Sequence, residues 1–339
     1  MANPSIRSLA KQLGVSIATV SLALRDSPRV LPQTRERVRR AAAAAAYRPN
    51  PLVRSVMSSL RRSSHETFHG ALLAIEYSRQ ERPVLNPYHR QVYQGAQRRA
   101  SELGYSLELC WVGPKALSLS RLNSIVATRR VQGVIIMPFA ETVDFSSIKW
   151  EALSAASIDF CVSAPTLHTV LPDHQLSMLA AMKRLAGLGY KRPGLCLERW
   201  RDARIKHRWS AGFTSFFREY NADPILPLLI DETINREQFL EWFKRHRPDV
   251  IVGHLQESVI TWLRGKGLGV PRDVGFFQLN WHERSGPCAG LDPRPALLGS
   301  TAVDTSVAQL HRNERGIPDT PSLISLPLEW IDGPTVRTK

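Results

Sequence analysis

From Gly70 onward the chain alternates short apolar runs with helical patterns, and this alternation restricts the fold more than any other feature. Runs at 71–75, 107–112, 134–137, 160–162, 194–197, 226–230, 250–252 and 274–279 are bounded by turn residues and read as strands, with helical periodicity between them, first over 87–103. Continuous apolar runs joined by helices imply parallel strands buried on both faces. The expected fold is therefore an α/β core of two doubly wound parallel sheets, and 339 residues leave room for a further unit. The longest apolar runs fall far short of the roughly 20 residues that span a bilayer, so no membrane partner is expected. Residues 1–10 lack the layout of a secretion signal, and Cys110, Cys161, Cys196 and Cys288 form no CxxC or CxxH pair. A reducing cytoplasm without structural zinc is the expectation, with no metal and no cofactor.

Charge separates the first 65 residues from the rest. The chain carries 45 Lys+Arg against 30 Asp+Glu, a formal +15. Residues 1–65 hold twelve of those cations and only the acids Asp26 and Glu36, a net +10, while the other 274 residues share +5. A polyanion is the expected partner of such a segment.

Helical signals coincide with the charge. Ser5 can cap a helix in which Ile6, Leu9, Ala10 and Leu13 share one face, and Gly14 ends it. Ser16 can cap a second helix, with Val15 and Val20 placed as a hydrophobic staple. Val38 and the alanines that follow Pro32 close a three-helix unit whose second helix turns Ile17, Ala18, Ser21 and Leu22 outward, the form of a helix-turn-helix with a recognition helix. A membrane-surface helix would need a broad apolar face, and 35–46 offers mostly alanine there. In the segment Tyr47-Arg48-Pro49-Asn50-Pro51, Asn50 stands as N-cap and Pro51 at the first helical position of a helix over 52–60. So short a helix should order only against its copy in a dimer or against DNA.

The runs 6–10 (IRSLA), 14–24 (GVSIATVSLAL), 34–38 (TRERV) and 47–51 (YRPNP) together resemble the lactose-repressor (LacI/GalR) family of bacterial transcription regulators. The resemblance implies a homodimer on a palindromic double-stranded DNA operator. It places Ile17, Ala18 and Leu22 at base-reading positions and Ser16, Thr19, Ser21 and Thr34 near phosphates. Ser5, Arg25, Arg29, Tyr47, Asn50 and Arg54 join them as DNA-binding positions, Arg25 and Arg29 through the backbone. The family wedges a leucine from the hinge helix into the minor groove, and Val56, followed by Met57, stands at that position. The base-reading positions here are apolar, so thymine methyls replace hydrogen bonds as the expected target.

The resemblance continues through 94–95 with 103–105, 131–138, 188–190, 247–251 and 267–274, which implies a two-subdomain core like the periplasmic sugar-binding proteins. The implied layout is a helix-turn-helix domain at 1–49 and a hinge helix with linker at 50–68. A core at 69–339 follows, its N-subdomain at about 69–164 plus 288–316 and its C-subdomain at about 166–280 plus 320–332. Family members close the subdomain cleft on a small effector. An arginine common three residues before the Gly-aromatic pair is Trp209 here, ahead of Gly212-Phe213, and an acid after the last C-subdomain strand is Asn280. Asp173 with His174 matches the family's Asp-Asn pair. The functional reading is a cleft in which Tyr77, Tyr88, Trp209 and Trp281 stack on a sugar-like ligand, with hydrogen bonds from Asp173, Asn280, His207 and His254. Loss of the arginine predicts a neutral ligand. The competing reading places these aromatics in core or interface.

No catalytic motif stands in its required context, and Gly265-Lys266-Gly267-Leu268-Gly269 follows a helix and reads as a turn, so no enzyme is expected. A solute-binding protein of sugar transport is the alternative. It would begin with a signal peptide and lack the basic helices.

Overall fold

The structure is a computed structural model that describes residues 6–24, 30–44, 69–81, 83–220, 227–282 and 286–338. The chain divides into two compact units, Met1–Thr67 and Phe68–Lys339.

In the first unit, α1 (Ile6–Leu13), α2 (Ile17–Ala23) and α3 (Pro32–Ala44) enclose a small core of Leu9, Ala10, Val20, Ala23, Val30, Val38 and Ala42. Gly14, at φ 63°, makes the corner after α1, where the Val15 N–H donates to the Ala10 carbonyl at 3.1 Å. A side chain disfavours that φ, which is why glycine stands there. Val15 and Val20 both pack on the core, so the expected staple forms.

The second unit runs β1 (Gly70–Tyr77), α4 (Pro87–Glu102), β2 (Tyr105–Val112), α5 (Leu119–Arg129), β3 (Val131–Ile136), β4 (Val143–Asp144), β5 (Ser154–Ile158), β6 (Val162–Ala164) and β7 (His168–Pro172). It continues α6 (His174–Gly187), β8 (Pro193–Glu198), α7 (Arg199–Arg204), α8 (Arg208–Tyr220), β9 (Leu228–Asp231), α9 (Arg236–His246), β10 (Val250–Gly253), α10 (Gln256–Arg264), β11 (Gly275–Gln278), β12 (Gly290–Asp292), α11 (Pro295–Arg312), β13 (Leu323–Leu326) and β14 (Glu329–Ile331). One sheet has the order β2-β1-β3-β5-β7-β13 and is parallel throughout. The other has the order β9-β8-β10-β11-β12-β14 and is parallel except for β14, which pairs antiparallel to β12. Both repeat one doubly wound topology, in which the strand order reverses between the first and third strands.

Of the expected strand at 160–162 only Val162 lies in a strand, β6, which pairs with β4 outside both large sheets. The strand of the first sheet is Ser154–Ile158, whose serines hid it in the sequence: Ser154 shares a 2.7 Å hydrogen bond with Ser306 and Ser157 a 2.9 Å bond with Thr169, so buried hydroxyls stand where apolar residues were sought. Small side chains here admit α11, whose Gln309 bonds both the N–H and the carbonyl of Ala155, at 3.2 Å and 2.9 Å.

Sheet membership also corrects the expected subdomain limits. β7 and β13 pair into the first sheet and β12 into the second. The chain therefore crosses between the halves after Pro172, between Asp292 and Pro295 and between Leu326 and Glu329, instead of near 165, 281–287 and 317–319. Strands of three to five residues paired with distant partners leave little local signal. On the first half, α4 and α11 cross closely: a Cβ on Gly299 would stand 2.0 Å from the Val92 carbonyl oxygen, and one on Gly95 2.1 Å from that of Ala296. Hence the glycine after Gln94.

Candidate functional site

On the N-terminal unit, Ser16 Oγ accepts the Thr19 N–H at 2.9 Å and lies 2.8 Å from Thr19 Oγ1, which sets the first turn of α2. The positive end of that helix then stands behind two hydroxyls suited to a phosphate oxygen. Thr34 is half-buried in the first turn of α3. Arg37 donates to the Leu13 carbonyl at 2.9 Å, tying α3 to the end of α1, and Arg40 pairs with Glu36 at 3.0 Å. Leu22 is half-buried and packs in part against the core of the unit. The side chains of Ile17, Ala18 and Ser21 lie outside the described residues, as do Ser5, Arg25, Arg29, Tyr47, Asn50, Arg54, Val56 and Met57.

In the second unit the side chains of interest gather at the C-terminal ends of both sheets, where doubly wound folds bind ligands. Asp159 follows β5 at φ 65° and is 4% exposed; its carboxylate pairs with Arg204 from the end of α7. Burial would raise the Asp159 pKa, but Arg204 and His174 outweigh it and hold the carboxyl below its usual range. This pair joins the half built on the first sheet to the half built on the second. His174, the first residue of α6, is buried with its ring 4.5 Å from Trp209 at 60°. The His254 ring is also near Trp209, 6.3 Å away at 66°. Burial pushes His174 down to about 4 and His254 down to about 3, so both are neutral at pH 7. His254 Nδ1 lies 3.0 Å from the Leu279 carbonyl, an acceptor only, which fixes the proton on Nδ1. The Arg208 guanidinium lies 5.3 Å from the centre of the Phe160 ring. Tyr88, from the start of α4, faces the same cluster, and its hydroxyl pKa is raised first by burial and then by Asp159.

Of the residues expected here, Tyr88, Trp209 and His254 come together. Trp209 does so as core: it is 1% exposed and packs with Phe213, Met178 and Leu291, so it does not line an open cleft as expected. A helical position facing the sheet is buried by α6 and β11 alike. The others spend their bonds locally. Asp173 caps α6 by accepting the Leu176 N–H at 3.0 Å, Trp281 donates to the Cys288 carbonyl at 2.9 Å, and Tyr77 packs on Phe139 at 5.7 Å. His207 is largely exposed beside Asp202 at 3.2 Å, and Asn280 is exposed at φ 50°. Asp159, Arg204 and Arg208 were missed, and His174 entered only as the companion of Asp173. A signal existed in the basic run 199–208 (RWRDARIKHR) directly after a strand, but its partners lie far along the chain. Among the described residues no group of three or more His, Cys, Asp or Glu could hold a metal ion, and no helix is long and apolar enough to cross a membrane.

Comparisons with known proteins follow the same division. Residues 5–50 match the model of bacterial regulatory proteins, lacI family, and residues 182–336 match the periplasmic binding protein-like domain. The HTH-type transcriptional regulator DegA of Bacillus subtilis (strain 168) is 25% identical over 96% of this chain and 96% of its own length. The HTH-type transcriptional repressor PurR of Mannheimia succiniciproducens is 23% identical over 79% of each. Among solved structures, the lac repressor dimer bound to operator and an anti-inducer is 17% identical at a TM-score of 0.56, covering 99% of this chain and 100% of that one. A complex of the transcriptional regulator CelR with cellobiose is 17% identical at 0.57, covering 98% and 99%. At these identities the solved structures speak for the fold.

Proposed function

We propose that the chain, whose residues 5–50 match the lacI family of bacterial regulatory proteins and whose residues 182–336 match the periplasmic binding protein-like domain, is a sequence-specific DNA-binding transcription regulator, a repressor that acts in the cytoplasm as a homodimer on a palindromic operator. The observation that carries this reading is the coincidence of a net +10 over residues 1–65 with a three-helix unit whose second helix is capped by Ser16. Ser16, Thr19, Ser21 and Thr34 hold phosphates, Ile17 and Ala18 meet base edges, and Val56 with Met57 opens a base step from the hinge helix. Leu22 packs in part against the core of the unit and meets base edges with the rest of its side chain, so base reading by α2 is thin and more of the specificity falls to the deformability of the operator. A solute-binding protein shares the second unit but has no use for the first, and the catalytic reading finds no motif to rest on. The chain is not an enzyme in this reading.

The second unit holds a small effector at the C-terminal ends of its two sheets, near Tyr88, Trp209 and His254. An effector shifts operator binding only by its differential affinity for two arrangements of the halves, and the Asp159–Arg204 pair stands across the joint that would move.

The test is selection of bound fragments from a random DNA pool, followed by titration of the selected site against salt. If each half neutralises several phosphates, log K falls with log salt at about 0.9 per phosphate contact. An affinity nearly independent of salt removes the assignment for residues 1–65. Amide exchange over 50–60 should be free without operator and protected with it, and Val56→Leu should tighten binding where Val56→Ser weakens it.

A further inference from the structure

We infer that the ligand of the site between the two sheets is a hydroxylated acid, its anionic group received by Arg208 and its hydroxyls by His254 and His174. This rests on the reading of that site as an effector site, and it replaces the neutral ligand expected from Trp209.

Among the described residues, the charged groups named here have partners apart from Arg208; Asp292, whose charge reaches Tyr88, accepts the Arg294 N–H at 2.7 Å. Arg201 donates to Glu198 at 2.8 Å, and Arg204 pairs with Asp159. Asp202 accepts from Ser210 Oγ at 2.6 Å and lies 3.2 Å from His207, while Asp173 is taken up by the N-cap of α6. From the first half, Glu76 lies 3.2 Å from His89 Nδ1, and burial raises its pKa, which favours the neutral acid. Arg208 faces the Phe160 ring, and its buried Nε has no hydrogen-bond partner. A half-buried guanidinium set against an aromatic face, with a donor unspent, is a receptor for an anion. Its position strengthens this: Arg208 opens α8, and the amide end of that helix adds a positive field of its own.

The remaining unspent atoms define the rest of the ligand. With its proton on Nδ1, His254 presents a bare Nε2 that is buried and without a partner. It is an acceptor and needs a donor such as a hydroxyl. His174 is 3% exposed with both ring nitrogens unpartnered, so as a neutral imidazole it offers one donor and one acceptor. Buried polar atoms left unpaired are costly, and a cluster of them at the C-terminal ends of two sheets marks what a ligand supplies. A neutral sugar satisfies the acceptors and leaves Arg208 unmatched. A simple fatty acid does the reverse.

The experiment measures thermal shift and tryptophan fluorescence of the full chain at fixed ionic strength. The probes are D-gluconate, D-glucuronate, D-glucose 6-phosphate, D-glucose, sorbitol, hexanoate and inorganic phosphate. At least one hydroxylated acid should stabilise the chain at concentrations where its neutral counterpart and hexanoate do not, and the gluconate and phosphate arms tell a carboxylate from a phosphoryl group. Arg208→Gln should weaken that binding about ten- to hundredfold, with Arg208→Lys retaining part of it. Should Arg208→Gln fail to fold, the preference of the unaltered chain for acid over neutral probe still decides. Stabilisation by glucose or sorbitol as strong as by any acid, stabilisation by inorganic phosphate alone, or an acid affinity untouched in Arg208→Gln overturns the anion assignment and leaves the effector site standing. A flat response to every probe overturns both.

Discussion

The two sheets of the second unit share one strand order yet present opposite chemistry at their C-terminal ends. The first contributes two acids and a phenol: Asp159, the buried Glu76 and Tyr88. The second contributes cations and imidazoles, with Arg204, Arg208, His174 and His254 around Trp209. Topology decides where a ligand can sit, at the point where strand order reverses, and it leaves open what sits there. That is settled by a handful of residues just past the strand ends, where an acid of the first half meets an arginine of the second. Asp159 and Arg204 are the result: a buried pair that belongs to neither half alone.

Arg204→Ala sharpens this comparison most. It leaves the Asp159 carboxylate buried and unmatched, and about 3–5 kcal/mol of stability should go, read by urea denaturation of the whole chain. The double change Asp159→Asn with Arg204→Met should cost less than the single one. A loss under about 1 kcal/mol for Arg204→Ala would mean that water reaches the seam and that the halves are only loosely joined.

Glycine at helix crossings comes next. A Cβ on Gly299, in the first half, meets the Val92 carbonyl oxygen at 2.0 Å, and one on Gly212, in the second, meets that of Gln175 at 2.5 Å. Gly299→Ala should cost about 1–3 kcal/mol by overpacking, and Gly212→Ala less. Equal losses would show that both halves give way alike.

Acid should weaken the second half before the first. His174 and His254 have folded values of about 4 and about 3, below the unfolded histidine value near 6.5. The unfolded chain therefore binds more protons as pH falls below about 6.5, and stability drops until the folded values are passed. Asp159, whose pKa is depressed, adds stability that is present above the unfolded Asp value near 3.9 and lost only as pH falls through its lower folded value. Melting temperature against pH from 7 to 4 should slope downward, and His174→Phe should flatten it by about one proton. An unchanged slope would place the titrating groups elsewhere.

Smallest of all is the exposed pair Arg79–Glu141 on the loops of the first half, 2.8 Å apart with 71% and 38% of the side chains exposed. Arg79→Ala should leave the melting temperature unchanged within error, which sets the control against which the buried pair is measured.

The sequence by itself determined the division into a basic helical unit and an α/β core, the corner at Gly14, the cap at Ser16 and most strands of both sheets, because each rests on neighbours within a few residues. Gly14 and Ser16 act through their own φ and the next turn, and the apolar runs at 71–75 and 250–252 announce burial wherever they end up. What only the tertiary structure decided is long-range. β5 looked polar until Ser306 and Thr169 met its serines, and β13 joined the first sheet, and β14 the second, by pairing with strands far along the chain. The candidate site belongs to this second kind. Asp159 and Arg204 are 45 residues apart, and neither is remarkable in its own segment. Their charge gains meaning only when folding takes both out of water, where an unpaired charge is expensive and a partner at hand decides the protonation of its neighbours.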